Sequence, residues 1–174
     1  NDAKSSVSND ARHAPLRDEA LARPLVDAEA VAEDVVKYLM NHLGRDPETS
    51  PNIYRYQALV FALRNRIIER WRATRRAYVE SDCRRAYYIS MEYLMGRATQ
   101  NAALNLDLEG PLREALAAHG LHWEELLEVE RDAGLGNGGL GRHAACLRDP
   151  GATLQLPIIG HRIRYENCMC REEN

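Results

Sequence analysis

Lysine is nearly missing from this sequence, which has only Lys4 and Lys37 among its 174 residues. The other basic residues are arginines. Because Schiff-base chemistry needs a lysine amine, the chain offers few places for it. The net charge of -3 at pH 7 also gives no electrostatic case for binding nucleic acid.

Paired cysteines and long apolar runs are lacking as well. Cys83, Cys146, Cys168 and Cys170 form no Cys-x-x-Cys pair, which favours reduced thiols in a cytoplasmic protein over disulfides or a zinc site. Cys168 and Cys170 could bind a soft metal, but no second ligand pair lies near them, so no metal site is predicted. No apolar run approaches the roughly 20 residues of a membrane span, and the acidic first residues are unlike a signal peptide.

The composition that remains is ordinary for a soluble globular protein, with 45% hydrophobic and 28% charged residues. Residues 1–24 are polar and have no apolar period, which predicts a mobile tail. Residues 25–174 are predicted to form part of one domain.

Four-residue spacing of apolar residues predicts two helices before residue 80. The first runs from about Asp27 to Gly44, where the glycine supplies the stop. The second covers residues 54–79, and its predicted core face carries Leu59, Leu63, Ile67 and Trp71. Its opposite face carries Arg64, Arg66, Arg70, Arg72, Arg75 and Arg76. Such a face is usually solvated, although an arginine cluster can also hold phosphate.

The next part of the chain predicts one strand and several short helices. Aromatic and β-branched residues over 85–91 follow a polar turn and indicate a strand. Three helices are predicted over residues 98–106, 110–119 and 122–131. A short apolar segment over residues 153–159 and a strand over 161–165 are expected on either side of Gly160.

The most unusual stretch is residues 132–142, here named the glycine segment, which has five glycines within eight positions. Glycine costs backbone entropy, so this density indicates positive φ angles or a close approach of the backbone to something else. A short helix is predicted over residues 143–147. A glycine turn that leads into a helix presents free N–H groups and a positive dipole end, which together suit an anion.

Three other interpretations of the glycine segment are two nucleotide-binding motifs and a turn that binds no ligand. Gly136, Gly138 and Gly141 match the spacing of a dinucleotide-binding fingerprint, but that motif follows a strand, whereas residues 124–131 are acidic and helical in period. A P-loop is excluded because no Gly-Lys-Ser or Gly-Lys-Thr occurs. The interpretation as a tight turn that binds no ligand remains open.

Residues 130–146 resemble the glycine-rich segment of the α-glucan phosphorylases, the family of glycogen, starch and maltodextrin phosphorylases. Further blocks agree in order and separation: residues 87–97, 100–101 with 105–106, and 152–154 with 163–166. The resemblance covers roughly residues 54–166, and several ordered blocks make it more specific than a glycine motif alone.

The resemblance implies an α/β fold, namely the largely helical, incomplete part of a glycosyltransferase-B-like N-terminal domain with a few strands. It implies an enzyme that splits terminal α-1,4-glucosidic bonds with inorganic phosphate and releases glucose 1-phosphate, with pyridoxal phosphate as cofactor. By the same resemblance, Gly138 and Gly139 would be cofactor-binding residues whose N–H groups lie against the phosphates. Asn137 and Leu140 would line the glucose pocket.

The resemblance also sets limits on what this chain does. The family's cofactor lysine and phosphate-binding cations have no match here, so no catalytic residue is expected and the chain is expected to be an inactive N-terminal fragment. The resemblance also implies a cytoplasmic protein that forms a homodimer. Trp71 matches their nucleotide-activator site, but Arg75, Arg76 and Val79 replace its glutamines and tyrosine, which argues against nucleotide activation. The alternative is a non-catalytic helical dimerisation or regulatory module.

Overall fold

The computed structural model describes residues 27–163. The predicted tail over residues 1–24, the end of the last matching block and the pair Cys168 and Cys170 lie outside them. The order of elements is α1 (Ala28–Lys37), a π-helical turn (Tyr38–His42), α2 (Asn52–Glu80), β1 (Ala86–Ile89), α3 (Thr99–Asn105), α4 (Glu109–Ala118), α5 (Trp123–Glu128), α6 (Gly138–Thr153) and β2 (Ile158–His161). A mostly helical chain with a small parallel sheet agrees with the predicted fold class.

Helix α1 begins where the sequence predicts, and together with the π-helical turn it extends close to the predicted stop at Gly44. The Asp27 side chain accepts a hydrogen bond from the N–H of Ala30 at 3.1 Å, which satisfies one of the free donors of the first turn. The π-helical turn continues the helix, and Gly44 then adopts a φ of +61°, a backbone conformation that favours glycine. The first predicted helix is therefore confirmed.

Helices α1 to α5 enclose the hydrophobic core. Trp123 is the largest fully buried side chain, and leucines and valines from the other helices surround it. The largest fully buried side chains of this core, all at most 2% exposed, are Val31, Val35, Leu39, Leu59, Leu108, Leu112, Leu116, Leu121, Trp123 and Leu126. Burial of a side chain of this size stabilises the fold by about 1.5–3 kcal/mol each.

Only the first half of the predicted core face of α2 is buried. Leu59 and Leu63 lie in the core, whereas Ile67 is 43% and Trp71 is 52% exposed. The prediction for Ile67 and Trp71 is wrong for the described residues, because no described element covers this part of the helix as it covers the N-terminal half. Periodicity identifies the apolar face of a helix but not how far along it the neighbouring helices extend.

The arginine face of α2 also differs from a uniformly solvated surface. The Arg66 side chain is 8% exposed, and its guanidinium lies 3.0 Å from a carboxylate oxygen of Asp34 on α1. Arg70 donates a hydrogen bond to the carbonyl of Asn105 at 3.0 Å. Two of the predicted surface arginines therefore join α2 to other parts of the chain.

Strands β1 and β2 form a two-stranded parallel sheet, with Ala86 opposite Ile158 and Ile89 opposite His161. The strand predicted over residues 85–91 is confirmed. The prediction that Gly160 separates two segments is wrong, because Gly160 lies inside β2. A β-carbon at Gly160 would lie 3.0 Å from the phenol oxygen of Tyr93, so the missing side chain makes room for that ring.

The last two helices differ in length from the sequence prediction. Helix α5 ends at Glu128 rather than near residue 131, and α6 begins inside the glycine segment and continues to Thr153, with Pro150 in its final turn. The glycines weaken local helix propensity, which is why a helix over residues 143–147 alone was predicted. No helix within residues 27–163 is long and apolar enough to cross a membrane.

Candidate functional site

The glycine segment connects the end of α5 to the start of α6. The element directly before it is helix α5 and not a strand, whereas a dinucleotide fingerprint follows a strand. Gly134 and Gly138 have φ angles of +59° and +60°, a region that residues with side chains rarely adopt. Asn137, in extended conformation, occupies the N-cap position of α6.

A short piece of irregular chain, residues 92–94, braces the glycine segment from behind. The N–H of Tyr93 donates to the carbonyl of Leu135 at 2.8 Å, and the N–H of Leu94 donates to the carbonyl of Gly141 at 2.9 Å. The N–H of Asn137 donates to Oε2 of Glu92 at 3.0 Å. The bracing segment, as residues 92–94 are called below, thus holds the turn at three points.

The contact with the bracing segment requires glycine at two positions. A β-carbon at Gly136 would lie 2.8 Å from the nitrogen of Tyr93, and one at Gly141 would lie 3.1 Å from Oε2 of Glu92. Distances this short require the neighbouring atoms to shift. The close approach that the glycine density indicates is therefore, at these two positions, an approach to the chain itself.

Gly139 has neither of these reasons to be glycine. Its φ is not positive, and a β-carbon there would meet nothing within 4 Å among the described residues. The residue is exposed at the start of α6, where alanine would favour the helix more than glycine does. Within the described part of the chain the fold leaves this space open.

The four residues predicted to bind phosphate and glucose stand together at the exposed start of α6. Within residues 27–163 the N–H groups of Gly138, Gly139 and Leu140 have no hydrogen-bond acceptor. The Asn137 side chain does not cap the helix, and Leu140 is 82% exposed. Free N–H donors at the positive end of a 16-residue helix can bind an anion, and the exposed side chains flank that position.

Tyr93 fixes the bracing segment against the sheet. It is 4% exposed, its hydroxyl donates to the carbonyl of Tyr88 at 3.0 Å, and the guanidinium of Arg148 lies 5.8 Å from its ring centre. Burial raises the pKa of Tyr93 above its ordinary value of 10.0, and the nearby positive charge of Arg148 lowers it in part. Arg162 of the chain after β2 also donates to the carbonyl of Leu135, at 2.6 Å.

Glu130 ties the beginning of the glycine segment to the helical core. Its carboxylate is 8% exposed and accepts hydrogen bonds from the N–H groups of Ala98 at 2.6 Å and Thr99 at 3.1 Å. It therefore caps α3 from a distant part of the chain. Sequence reasoning assigned no such role to Glu92, Tyr93 or Glu130, because their partners are 31 to 45 residues away and leave no local pattern.

The described residues hold neither a free lysine nor a metal site. Lys37 is the one lysine of this range, and its amine lies 3.4 Å from Glu33 and 3.7 Å from Asp34 on α1. No group of three or more histidine, cysteine or acidic side chains lies close enough to hold a metal ion within residues 27–163.

A cavity of about 530 Å³ lies apart from the glycine turn, between the exposed half of α2 and strand β2. Trp71 lines it, and the Arg75 guanidinium stacks 4.9 Å from the Trp71 ring centre. Arg85 and Arg148 also face this cavity. Of the predicted arginine face, Arg75 lies at this concave surface, together with two arginines from other parts of the chain.

Comparison with known proteins agrees with the resemblance seen in the sequence. Residues 116–173, which include the whole glycine segment, match the family profile described as carbohydrate phosphorylase. A glycogen phosphorylase of Haemophilus influenzae is 42% identical over 151 residues, which are 87% of this chain and 18% of that protein. The brain form of Bos taurus is 44% identical over 142 residues, which are 82% of this chain and 17% of the relative.

The muscle form of glycogen phosphorylase from Homo sapiens is 51% identical over 111 residues, 64% of this chain and 13% of that protein. These sequence matches show that the chain belongs to the carbohydrate phosphorylase family. The curated relatives named above are all glycogen phosphorylases, and the chain spans less than a fifth of their length.

Proposed function

We propose that the protein containing this chain is an α-glucan phosphorylase. It transfers terminal α-1,4-linked glucose units from glycogen or a related glucan to inorganic phosphate and releases glucose 1-phosphate. The observation that carries the proposal is the identity of 42–51% to glycogen phosphorylases, together with a family match that spans the glycine segment. The same comparisons do not favour a purely helical dimerisation module.

The residues of this chain would supply one wall of the active site. The N–H groups of Gly138 and Gly139 would donate hydrogen bonds to phosphate oxygens, and the dipole of α6 would favour the negative charge. Asn137 and Leu140 would contact the glucose unit, because both side chains project from the same turn without a partner of their own within residues 27–163. Gly139, which the fold does not need as glycine, leaves room for the anion.

Pyridoxal phosphate is the cofactor that this proposal requires. The donors at the start of α6 suit a phosphate group, whereas Lys37, the one lysine of the described range, is already paired with two carboxylates. The amine that holds the cofactor would therefore come from elsewhere in the protein. When bound, the cofactor supplies a phosphate group for proton transfer, and this chain holds and orients phosphate through its backbone.

The proposal further places the protein in the cytoplasm as a homodimer, with an α-1,4-glucan and inorganic phosphate as its substrates. The exposed Trp71 and Ile67 on α2 support a self-association surface in this region. Sedimentation equilibrium of the full-length protein measures the dimer directly, and a monomer at micromolar concentration would contradict that part of the proposal.

The test of the activity uses the full-length protein encoded by the gene, with pyridoxal phosphate supplied. Glycogen or maltodextrin is incubated with and without inorganic phosphate, and glucose 1-phosphate is measured. We expect release that depends on both the glucan and phosphate. Absence of release under these conditions refutes the proposed function.

A further inference from the structure

Glu92 is the one charged residue of the bracing segment, and its carboxylate contacts the start of α6. Its Oε2 accepts a hydrogen bond from the N–H of Asn137 at 3.0 Å. A β-carbon at Gly141 would lie 3.1 Å from the same oxygen, so glycine at this position leaves room for the carboxylate. The side chain is partly buried, and its negative charge lies one residue before the N–H groups of Gly138 and Gly139.

The backbone at Glu92 is itself fixed, so the carboxylate is held in place. The Ser90 hydroxyl donates to the carbonyl of Glu92 at 2.8 Å and accepts the N–H of Glu92 at 3.3 Å. The next two residues are bonded to the glycine segment through their own N–H groups. This arrangement aims Oε2 at one donor of the turn and leaves the following donors open.

The hydrogen bond to Asn137 does not require a charge. An amide oxygen of glutamine accepts a backbone N–H with the same geometry. A carboxylate at this place instead adds negative charge beside donors that, under the proposed function, receive phosphate. Like charges repel by about 0.7 kcal/mol in water at 6 Å and by about four times more near a protein surface.

We propose that Glu92 is a positioning residue with two separable effects. Its hydrogen bond fixes the turn so that the N–H groups of Gly138 and Gly139 point at the phosphate, and its charge weakens the binding of that phosphate. This inference rests on the proposed function. Weaker binding of phosphate need not slow the reaction, because tight binding of the ground state lowers the phosphate concentration needed for saturation without raising the rate of the chemical step.

Two substitutions separate the hydrogen bond from the charge. Glu92→Gln keeps an acceptor for Asn137 and removes the charge, so the phosphate concentration for half-maximal rate should fall about tenfold while kcat stays within about twofold. Glu92→Asp keeps the charge but is one methylene shorter and cannot reach Asn137. It should lower kcat by about tenfold or more, without tighter phosphate binding.

A second readout does not depend on catalysis. The melting temperature of the full-length protein is measured against inorganic phosphate concentration, since a ligand that binds the folded state raises it by mass action. The midpoint of this rise should move to about tenfold lower phosphate in Glu92→Gln and should not fall in Glu92→Asp. Glu114→Gln, an exposed carboxylate on α4, is the matched control and should leave both readouts unchanged.

The outcomes distinguish this inference from the proposed function. A wild-type protein that releases glucose 1-phosphate, with Glu92→Gln unchanged in its phosphate dependence, overturns the inference alone. Equal losses in Glu92→Gln and Glu92→Asp, or a Glu92→Gln protein that does not fold, would mean a purely structural role and would also overturn it. A wild-type protein with neither phosphate-dependent release nor a phosphate-dependent melting temperature overturns both.

Discussion

At the scale of single residues, the glycines of the glycine segment differ in what a methyl group would meet. Gly134 and Gly138 adopt positive φ angles, and Gly136 and Gly141 lie against the bracing segment. Gly139 meets neither condition. Sequence alone predicts that such a run has a special backbone role, but the atoms that Gly136 and Gly141 contact belong to a segment some 45 residues away, which no local pattern encodes.

Gly136→Ala should destabilise the fold. The added methyl group would lie 2.8 Å from the nitrogen of Tyr93, and it would weaken the bond from that nitrogen to the carbonyl of Leu135. Overpacking of this kind costs about 1–3 kcal/mol. The free energy of unfolding, measured in urea by tryptophan fluorescence, should fall by that amount, and an unchanged midpoint would contradict the described contact.

Gly139→Ala should lower activity without destabilising the fold. The methyl group would point into open space in the first turn of α6, so stability should be unchanged or should rise by up to about 1 kcal/mol. Phosphate-dependent release of glucose 1-phosphate by the full-length protein should fall by tenfold or more, since the same space is proposed to receive the anion. Full activity with unchanged stability would show that Gly139 leaves no room that the reaction uses.

At the scale of elements, prediction from sequence succeeds where the cause is local. Helix α1 has its cap, apolar face and glycine stop within one stretch, and all were predicted. Helix α2 was predicted in extent, but the exposure of Ile67 and Trp71 depends on which neighbours reach that far. The start of α6 was missed because contacts with Glu92 and Leu94 stabilise a helix that its glycines disfavour.

The junction of α1 and α2 gives a test at this scale. Asp34→Ala would leave the buried Arg66 guanidinium without the carboxylate that lies 3.0 Å away, with Glu69 at 3.8 Å as a weaker partner. We expect a loss of about 2 kcal/mol in unfolding free energy. Glu33→Ala, which removes an exposed partner of Lys37, should cost less than about 0.5 kcal/mol. Equal losses of unfolding free energy in the two variants would mean that the buried Asp34–Arg66 pair stabilises the fold no more than the exposed Glu33–Lys37 pair does.

At the scale of the whole molecule, the helical core and the candidate site occupy different parts of the fold. The buried residues of the hydrophobic core cluster belong to α1–α5 and their connections, whereas β1, β2 and the start of α6 carry exposed apolar residues such as Ile89 at 80%. The four predicted site residues remain a prediction. The structure places all four at the exposed start of α6.

Hydrogen exchange should follow this division in the 174-residue chain. Amides in α1, α4 and the first half of α2 should exchange most slowly, because their bonds lie against the core. Amides of β1 and β2 should exchange faster, since a two-stranded sheet with open edges is marginal by itself. Mass spectrometry after timed labelling gives the order, and slower exchange in the sheet than in α1 would contradict it.

Alkaline pH should destabilise the molecule through its buried tyrosines. Burial raises the pKa of Tyr93 and of Tyr56 above 10.0 in the folded chain. Above pH 10 the unfolded chain therefore releases phenol protons that the folded chain keeps, so the unfolding free energy falls as pH rises. In urea unfolding between pH 8 and about 11, Tyr93→Phe should reduce this fall, while Tyr87→Phe, at an exposed phenol, should not.

The parallel pairing of β1 and β2 also affects how the chain is made. The partners Ala86 and Ile158 are about 70 residues apart, so at a synthesis rate of roughly 5–20 residues per second β1 is complete some 4–14 s before β2 exists. During that interval the hydrogen-bonding edge of β1 and its Tyr87 and Ile89 side chains are open to any other nascent chain. Pairing with β2 closes one of the two edges of β1, so chaperone binding and misassembly should be more frequent before β2 is made than after.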